Sequence, residues 1–321
     1  MNNMRRQLIQ RGLTALAASV AFPYAQAANS KDLPVIRWGL FRNYQPVFVG
    51  VSKGFFTEAG VHVEMGGAFT SGPAIVQAVG IGQLDAGHSA TTGLINAAAQ
   101  GIKVIGVADS QTEFRSAPLQ QWFVLEKSSI KSVSDLKGKR IGTNSLSGSF
   151  YYTALIALQR HGLTKDDVQF VILPHERHEQ ALRSGLIDVA GIIDPYTVAL
   201  TGGGGVRLLF SGADILGEKQ FSLVFFAKKF IDENPETVRR FLVGYRKSIE
   251  YLRSHPLEGN ATMAKALGLD DKLIVQHRYT EGAKVIMNDA DFWLNTMRSG
   301  GELTNAPNLR ALDFASDRFG I

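Results

Sequence analysis

Gln77-Ala-Val-Gly-Ile-Gly-Gln-Leu-Asp85 and Gln180-Ala-Leu-Arg-Ser-Gly-Leu-Ile-Asp188 are two versions of one segment. Gln77, Ala78, Gly82, Leu84 and Asp85 recur as Gln180, Ala181, Gly185, Ile187 and Asp188, each 103 residues later. Arg37 and Gly39, upstream of the first copy, recur at the same interval as Arg140 and Gly142. Between them Glu58-Ala-Gly-Val and Arg160-His-Gly-Leu lie 102 residues apart, so a slip of one residue aligns the two units. Solenoid repeats have periods of roughly 20–50 residues. Two copies of a much longer unit instead predict two similar α/β lobes that face each other.

Each unit reads as short strands alternating with helices. In the first, Val35-Ile-Arg-Trp-Gly-Leu is a buried strand, and Val61-His-Val-Glu-Met alternates as a strand should. Ala74 to Val79 starts a helix whose first turn carries Pro73, where the missing N–H would be unpaired in any case. Leu84 to His88 reads as a strand, Thr92 to Gln100 as a helix and Lys103 to Val107 as a strand. Gln121 to Glu126 is a strand crossing to the second unit. There the order replays: strand at Arg140, loop 143–149, helix from Phe150, strand at Val168, helix from Glu176, strand from Ile187. Phe221 to Ala227 is the return strand, and the remainder is helical, with Thr237 to Arg253 one helix and a last one from Ala311. Such alternation implies mostly parallel, doubly wound sheets flanked by helices. The expected bounds are 28–125 and 223–321 for one lobe and 126–222 for the other, joined by two crossing hinge strands.

Residues 1–27 have a separate purpose. Arg5, Arg6 and Arg11 precede the apolar run Gly12 to Phe22, which ends at the small-x-small site Ala25-Gln-Ala27. That layout is a secretory signal cleaved near Ala27, since a membrane span needs roughly 20 apolar residues. Arg5-Arg6-Gln-Leu-Ile also fits a loose twin-arginine pattern. Removing the three arginines takes the net charge from +5 to +2, and no basic block points to nucleic acid. The chain contains no cysteine, which excludes disulfides, thiol catalysis and thiolate metal sites.

In open α/β sheets a ligand sits beyond the carboxyl ends of the strands, at helix N-termini. The loops predicted there are rich in hydroxyl and amide groups. They are Asn43-Tyr44-Gln45, Thr70-Ser71-Gly72, His88-Ser89-Ala-Thr91-Thr92, and the 143–149 segment with Ser145, Ser147, Gly148 and Ser149. Free N–H groups at a helix start, with a hydroxyl beside them, hold an anion without a full positive charge. The same residues are also what ordinary N-caps require. Arg115, near the hinge, reads either as a partner for a carboxylate or sulfonate or as a solvated loop arginine. Asp194 reads either as an acceptor for a ligand donor or as an Asx turn before the next helix. Tyr44, Phe69, Phe114, Tyr152 and Tyr196 are candidates to wrap an apolar portion of a ligand.

Gly67-Ala-Phe-Thr-Ser-Gly-Pro73 and Gly82-Gln-Leu-Asp-Ala-Gly87 resemble the first lobe of periplasmic binding proteins for aliphatic sulfonates, taurine and nitrate. Val133-Ser-Asp-Leu-Lys-Gly-Lys-Arg-Ile-Gly142 and Ile193-Asp-Pro-Tyr196 resemble the second lobe of the sulfonate binders in particular. The resemblance runs from about residue 34 to the C-terminus. It implies a two-lobed type II periplasmic-binding-protein clam serving an ABC importer. It further implies that Thr70, Ser71 and Gly72 hold the anionic end, with Ser89 to Thr92 and the 145–149 loop completing the site. Where those proteins often carry Gly-Asp-Ala after the third strand, this chain has His88-Ser-Ala-Thr-Thr, a departure that bears on ligand identity.

Other chemistries fit less well. In His175-Glu-Arg-His-Glu the second histidine is three residues on, not the four that put both on one face of a zinc-binding helix. No Gly-x-Ser-x-Gly elbow and no dinucleotide fingerprint is present. Thiamine-pyrimidine synthases, whose fold is similar, rely on a cysteine-rich motif that this chain lacks. The expectation is therefore a periplasmic, monomeric, non-enzymatic protein with no cofactor or metal. It would capture a small organic anion, sulfonate- or taurine-like, by hinge closure, and deliver it to an inner-membrane permease and its ATPase. The alternatives are nitrate, a carboxylate or a vitamin precursor in the same fold, and a periplasmic hydrolase or lyase with His88 as base.

Overall fold

The computed structural model describes residues 32–319 except Ile274, Gln276 and His277, so the signal expected at 1–27 lies outside the described residues. The first half runs β1 (Val35–Phe41), α1 (Pro46–Ser52), α2 (Phe55–Glu58), β2 (His62–Phe69), α3 (Gly72–Gly80), β3 (Ala86–Ala90), α4 (Thr91–Ala99) and β4 (Val104–Glu113). Then come β5 (Gln120–Leu125), β6 (Arg140–Thr143), α5 (Ser149–Arg160), β7 (Gln169–Ile172), α6 (His178–Arg183), β8 (Val189–Ile193), α7 (Tyr196–Gly202), β9 (Val206–Ser211) and α8 (Gly212–Leu216). The chain closes with β10 (Lys219–Ala227), α9 (Lys228–Glu233), α10 (Pro235–Ser254), α11 (Pro256–Leu267) and α12 (Met287–Ser299).

The strands form two five-stranded sheets ordered β2-β1-β3-β10-β4 and β7-β6-β8-β5-β9. In the first, β1 runs parallel to β2 and β3, and β10 lies antiparallel between β3 and β4. In the second, β6 runs parallel to β7 and β8, and β5 lies antiparallel between β8 and β9. The two sheets therefore share one topology, with the antiparallel crossing strand at the same place in each. The fold is the expected two-lobed α/β clam. The chain crosses between β4 and β5 and returns between α8 and β10. Hence β5, expected before the bound at 125, pairs in the second sheet, and β10, which straddles the bound at 222, pairs entirely in the first.

The repeated residues explain why both halves fold alike. A Cβ on Gly39 would stand 2.9 Å from Leu84 Cδ1, and one on Gly142 would stand 2.7 Å from Ile187 Cδ1. Each glycine thus lets the aliphatic residue of its own copy press against the strand. Gly82 and Gly185 close the helix before that residue with φ of 79° and 74°, a left-handed conformation that side chains disfavour. The turn they make delays β3 to Ala86, two residues later than the sequence pattern predicts.

The first sheet is packed on both faces. Trp38 stacks on Phe241 of α10 on one side, with ring centroids 5.4 Å apart, while Ile75, Phe225 and Trp293 are buried together on the other. Trp122 and Phe210 stack at 4.5 Å in the core of the second. The helix expected from Ala311 is only a single 3-10 turn, Ala311–Asp313. Beyond it the chain is captured by the sheet, since the Gly106 amide donates to Phe314 O (2.8 Å) and the Ser316 amide donates to Gly106 O (2.9 Å). No helix among the described residues is long and apolar enough to cross a membrane.

Candidate functional site

The carboxyl ends of β1, β3, β6 and β8 point at one another across the cleft, and a small cavity of about 30 Å³ lies between them. The first lobe supplies Phe41, Gly72, His88, Ser89 and Gln111 to its wall; the second supplies Asn144, Gly148, Ser149, Phe150 and His175. None of the lining residues is Lys, Arg, Asp or Glu. A space of that size holds about one or two waters, so a larger solute enters only when the lobes part.

Two helix starts meet here. Gly72 opens α3 with Ser71 as its N-cap, the Ser71 Oγ accepting from the Ala74 amide at 3.4 Å. Ser149 opens α5, whose N-cap Gly148 brings no side chain to the first turn. The 103-residue interval pairs these helices differently: Ser149 corresponds to Pro46, and Gly72 to His175. Pro46 opens α1 without an N–H, and Gln45 before it is occupied, its Nε2 donating to Phe41 O (2.6 Å) and Asn43 Oδ1 (3.0 Å). His175 begins the 3-10 turn His175–Arg177 ahead of α6 and presents a ring there. The starts of α3 and α5, one from each lobe, thus meet at the cleft from positions that are not equivalent under the repeat.

Three residues of the cavity lining each carry a buried polar atom without a hydrogen-bond partner: His88 Nε2, Ser89 Oγ and His175 Nδ1, on residues 2%, 1% and 3% exposed. Buried polar atoms are rarely left without a partner. His88 Nδ1 lies 3.0 Å from Ser110 Oγ. If the serine donates, Nε2 carries the proton and is a donor without a partner. Burial pushes the His88 imidazole down to about 3. Burial, reinforced by neighbouring His178, lowers His175 well below its ordinary value. Both rings are neutral near pH 7. Phe41 packs between them, 5.6 Å from His88 and 6.2 Å from His175.

A second, smaller compartment of about 10 Å³ shares Gln111 with the first and is lined also by Tyr44, Ser110, Leu119, Asp194, Arg278 and Tyr279. Burial raises the Asp194 carboxyl to about 7. Burial, and secondarily the Asp194 charge, lifts Tyr44 to about 12. No Asx turn forms: the Asp194 side chain makes no hydrogen bond with the described residues, and α7 has no side-chain cap.

The other sequence candidates are spread around this centre. Thr91 and Thr92 are buried at the start of α4, and Thr92 Oγ1 donates across the cleft to Ser147 O at 3.0 Å. Ser145 and Ser147 bond each other at 3.0 Å. Tyr196 Oη donates to Arg42 O of the opposite lobe at 2.7 Å. Thr70 and Arg115 are exposed and line neither compartment. Asn43 is buried and tied to Gln45. The sequence reading did not select Phe41, Gln111, Asn144, Phe150 or His175. His175 carries a signal in the sequence, its 103-residue match to Gly72. No group of three or more metal-ligating side chains occurs among the described residues.

The NMT1/THI5 like family matches residues 42–259. The chain belongs to that family. It is similar to a Bacillus subtilis (strain 168) protein named for binding aliphatic sulfonates, 28% identical over 276 residues that cover 83% of this chain and 81% of that one. It is also similar to the 4-amino-5-hydroxymethyl-2-methylpyrimidine phosphate synthase of Candida albicans (strain WO-1), 28% identical over 250 residues, 72% of this chain and 70% of the other. Among solved structures, the alkanesulfonate-binding protein SsuA from Xanthomonas axonopodis pv. citri, bound to MOPS, superposes with a TM-score of 0.74 at 20% identity, covering 88% of this chain and 98% of that one. The shared architecture is the periplasmic-binding-protein fold.

Proposed function

We propose that this member of the NMT1/THI5-like family is the solute-binding component of an ABC importer, with a small organic anion of the sulfonate kind as its solute. The observation that carries the reading is the central cavity. Helix starts from both lobes converge on it, and three buried polar atoms there have no partner. A neutral, donor-rich pocket between two lobes suits an anion, because helix N-termini favour negative charge and hydrogen bonds to a charged group contribute about 1.5–3 kcal/mol each.

The solute touches both lobes only when they close on it. It therefore shifts an open–closed equilibrium by its differential affinity, and the closed form is what an inner-membrane permease would recognise. Of the expected seat of Thr70, Ser71 and Gly72, the proposal keeps Gly72, with Ser89 beside it and Gly148 and Ser149 opposite. Export to the periplasm, a monomeric state and lobe limits at the two crossings belong to the same proposal. Nitrate, a carboxylate and a vitamin precursor remain rival solutes.

The enzymatic alternative, with His88 as base, is the weaker one. A general base works best when its pKa lies near the operating pH. His88 is held at about 3 by burial, with Nδ1 against Ser110. The test is a thermal-shift screen of purified protein against sulfonates, taurine, nitrate, carboxylates and vitamin precursors. A solute at a hundredfold excess over its dissociation constant adds about 2.7 kcal/mol. Stabilisation by sulfonates supports the proposal, whereas turnover of a bound compound overturns it.

A further inference from the structure

Two tyrosines that the sequence pattern selects as solute contacts have another place in the structure. Tyr152 and Tyr196 are buried, yet neither lines the central cavity or the compartment beside it. Each stands three residues past a residue that does line the cavity, Ser149 at the start of α5 and Ile193 at the end of β8. Each reaches out of the second lobe and bonds to the first.

Tyr196 Oη donates to Arg42 O at 2.7 Å. That carbonyl belongs to a tethered loop. The Arg42 guanidinium donates to Leu267 O at the end of α11 (3.0 Å), and Phe41 O accepts from both the Asn43 amide (2.8 Å) and Gln45 Nε2 (2.6 Å). Phe41, next to the acceptor, is itself a wall of the cavity.

Tyr152 joins the lobes at a second place. It shares an apolar cluster with Leu94, Ile95 and Trp293 of the first lobe, although α5 belongs to the second. Its Oη accepts from Asn96 Nδ2 of α4 at 3.4 Å and donates to Glu302 Oε2 at 3.3 Å. One turn earlier on α4, Thr92 Oγ1 donates to Ser147 O, so consecutive turns of α4 are bonded to the second lobe. Burial raises both phenols, Tyr196 to about 12, and both hydroxyls keep their protons at neutral pH.

We propose that Tyr152 and Tyr196 are positioning residues of the solute site: they touch no solute, but hold the lobes in the arrangement that builds the cavity, and so set how long a captured solute stays. The inference rests on the two-lobed capture reading and adds which contacts keep the lobes shut. A bond made only on closing favours the closed state over the open one. Its loss shortens the life of the closed state and leaves the encounter of solute with the open state unchanged. One such bond changes an equilibrium by roughly twofold to tenfold.

Stopped-flow binding of ethanesulfonate to the purified protein tests it, with Tyr152→Phe, Tyr196→Phe, the double variant, and Tyr151→Phe as control. Tyr151 is buried on the same helix, and its hydroxyl makes no hydrogen bond among the described residues. Each of the first two variants should raise the dissociation rate by about twofold to tenfold, and the double variant by about their product. Association should stay within about twofold of wild type throughout, and Tyr151→Phe should match wild type in both rates. Melting curves control for folding, since a merely structural role lowers stability without splitting the two rates. Labels on Ile81→Cys and Leu186→Cys, both exposed, give a reading that needs no solute. There the double variant should show the lobes apart in a larger fraction of molecules than wild type. Unchanged dissociation in both single variants, or slowed association, overturns the inference and leaves the capture reading standing. If ethanesulfonate does not bind the wild type, the sulfonate reading fails and the label distances alone decide the inference, an identical distribution overturning it.

Discussion

The Arg37 guanidinium holds Asp85 through two hydrogen bonds, Nε to Oδ2 at 2.9 Å and Nη2 to Oδ1 at 2.7 Å, while the Arg37 amide donates a third to Oδ2 at 2.8 Å. Arg140 and Asp188 repeat all three, at 3.0, 2.9 and 2.8 Å. The pairs tie the equivalent strands β1 and β6 to the turns before β3 and β8. The repeat in the sequence is therefore a repeat of one clamp.

Replacing Asp188 with Asn should destabilise the protein by about 1–2 kcal/mol, because the pair is partly exposed and its hydrogen bonds are charge-assisted. The bonds from Arg140 hold the Asp188 carboxyl below its ordinary value. A depressed carboxyl contributes stability above its unfolded pKa, and that contribution is lost as pH falls through the folded one. Denaturant melts at pH 7 and pH 3 should show the gap between wild type and variant narrowing in acid.

Much of this scaffold was legible in the sequence because backbone geometry leaves little choice of residue. Gly82 and Gly185 occupy left-handed turns, and Gly39 and Gly142 lie under an aliphatic side chain. The site was only half legible. Gly72, Ser89 and Ser149 follow from helix starts, but Phe41, Gln111 and His175 join them through lobe closure, which no local pattern encodes. The last helix misread for a similar reason: Ala311 to Ser316 has helical spacing, yet Ala315 bridges to Gly106. The short helix α8 did leave a local signal in the reciprocal capping of Ser211 and Asp214.

Gly72→Ala should weaken binding of an accepted solute by more than about tenfold. An added Cβ would lie 2.7 Å from Ser89 Oγ and 2.8 Å from Ser89 Cα, so α3 must retreat from β3. Ser71→Ala should instead cost about 1 kcal/mol of stability through loss of the N-cap. Paired calorimetry and melting curves separate the two effects.

His88 gives a second pH dependence. Its folded pKa of about 3 lies below the ordinary 6.5, so the unfolded chain binds the extra proton between those values. Stability from keeping this ring neutral is full above pH 6.5 and declines as pH falls toward 3. His88→Gln should flatten that decline. The two cavity histidines should add no pH dependence to solute affinity between pH 6 and 8, since both are already neutral there, so affinity in His88→Gln should vary with pH as it does in the wild type.

Glu113 acts in the opposite sense at the hinge. Burial raises its carboxyl to about 7, against 4.5 ordinarily, despite the amides of Leu119 and Gln120. The folded state then holds the proton between these values, so its stabilising contribution falls as pH rises from 4.5 through 7. Glu113→Gln should lessen the loss of stability between pH 5 and pH 8, which melting curves at both values would show.

The absence of cysteine allows the central claim, capture of a solute between two moving lobes, to be measured directly. Ile81 and Leu186, both exposed and one on each lobe, can be replaced by cysteine and labelled for distance measurement by spin–spin coupling or energy transfer. On titration with ethanesulfonate the account predicts a saturable change in the inter-lobe distance, with the same midpoint as the heat of binding. Binding heat without any change in that distance would contradict it.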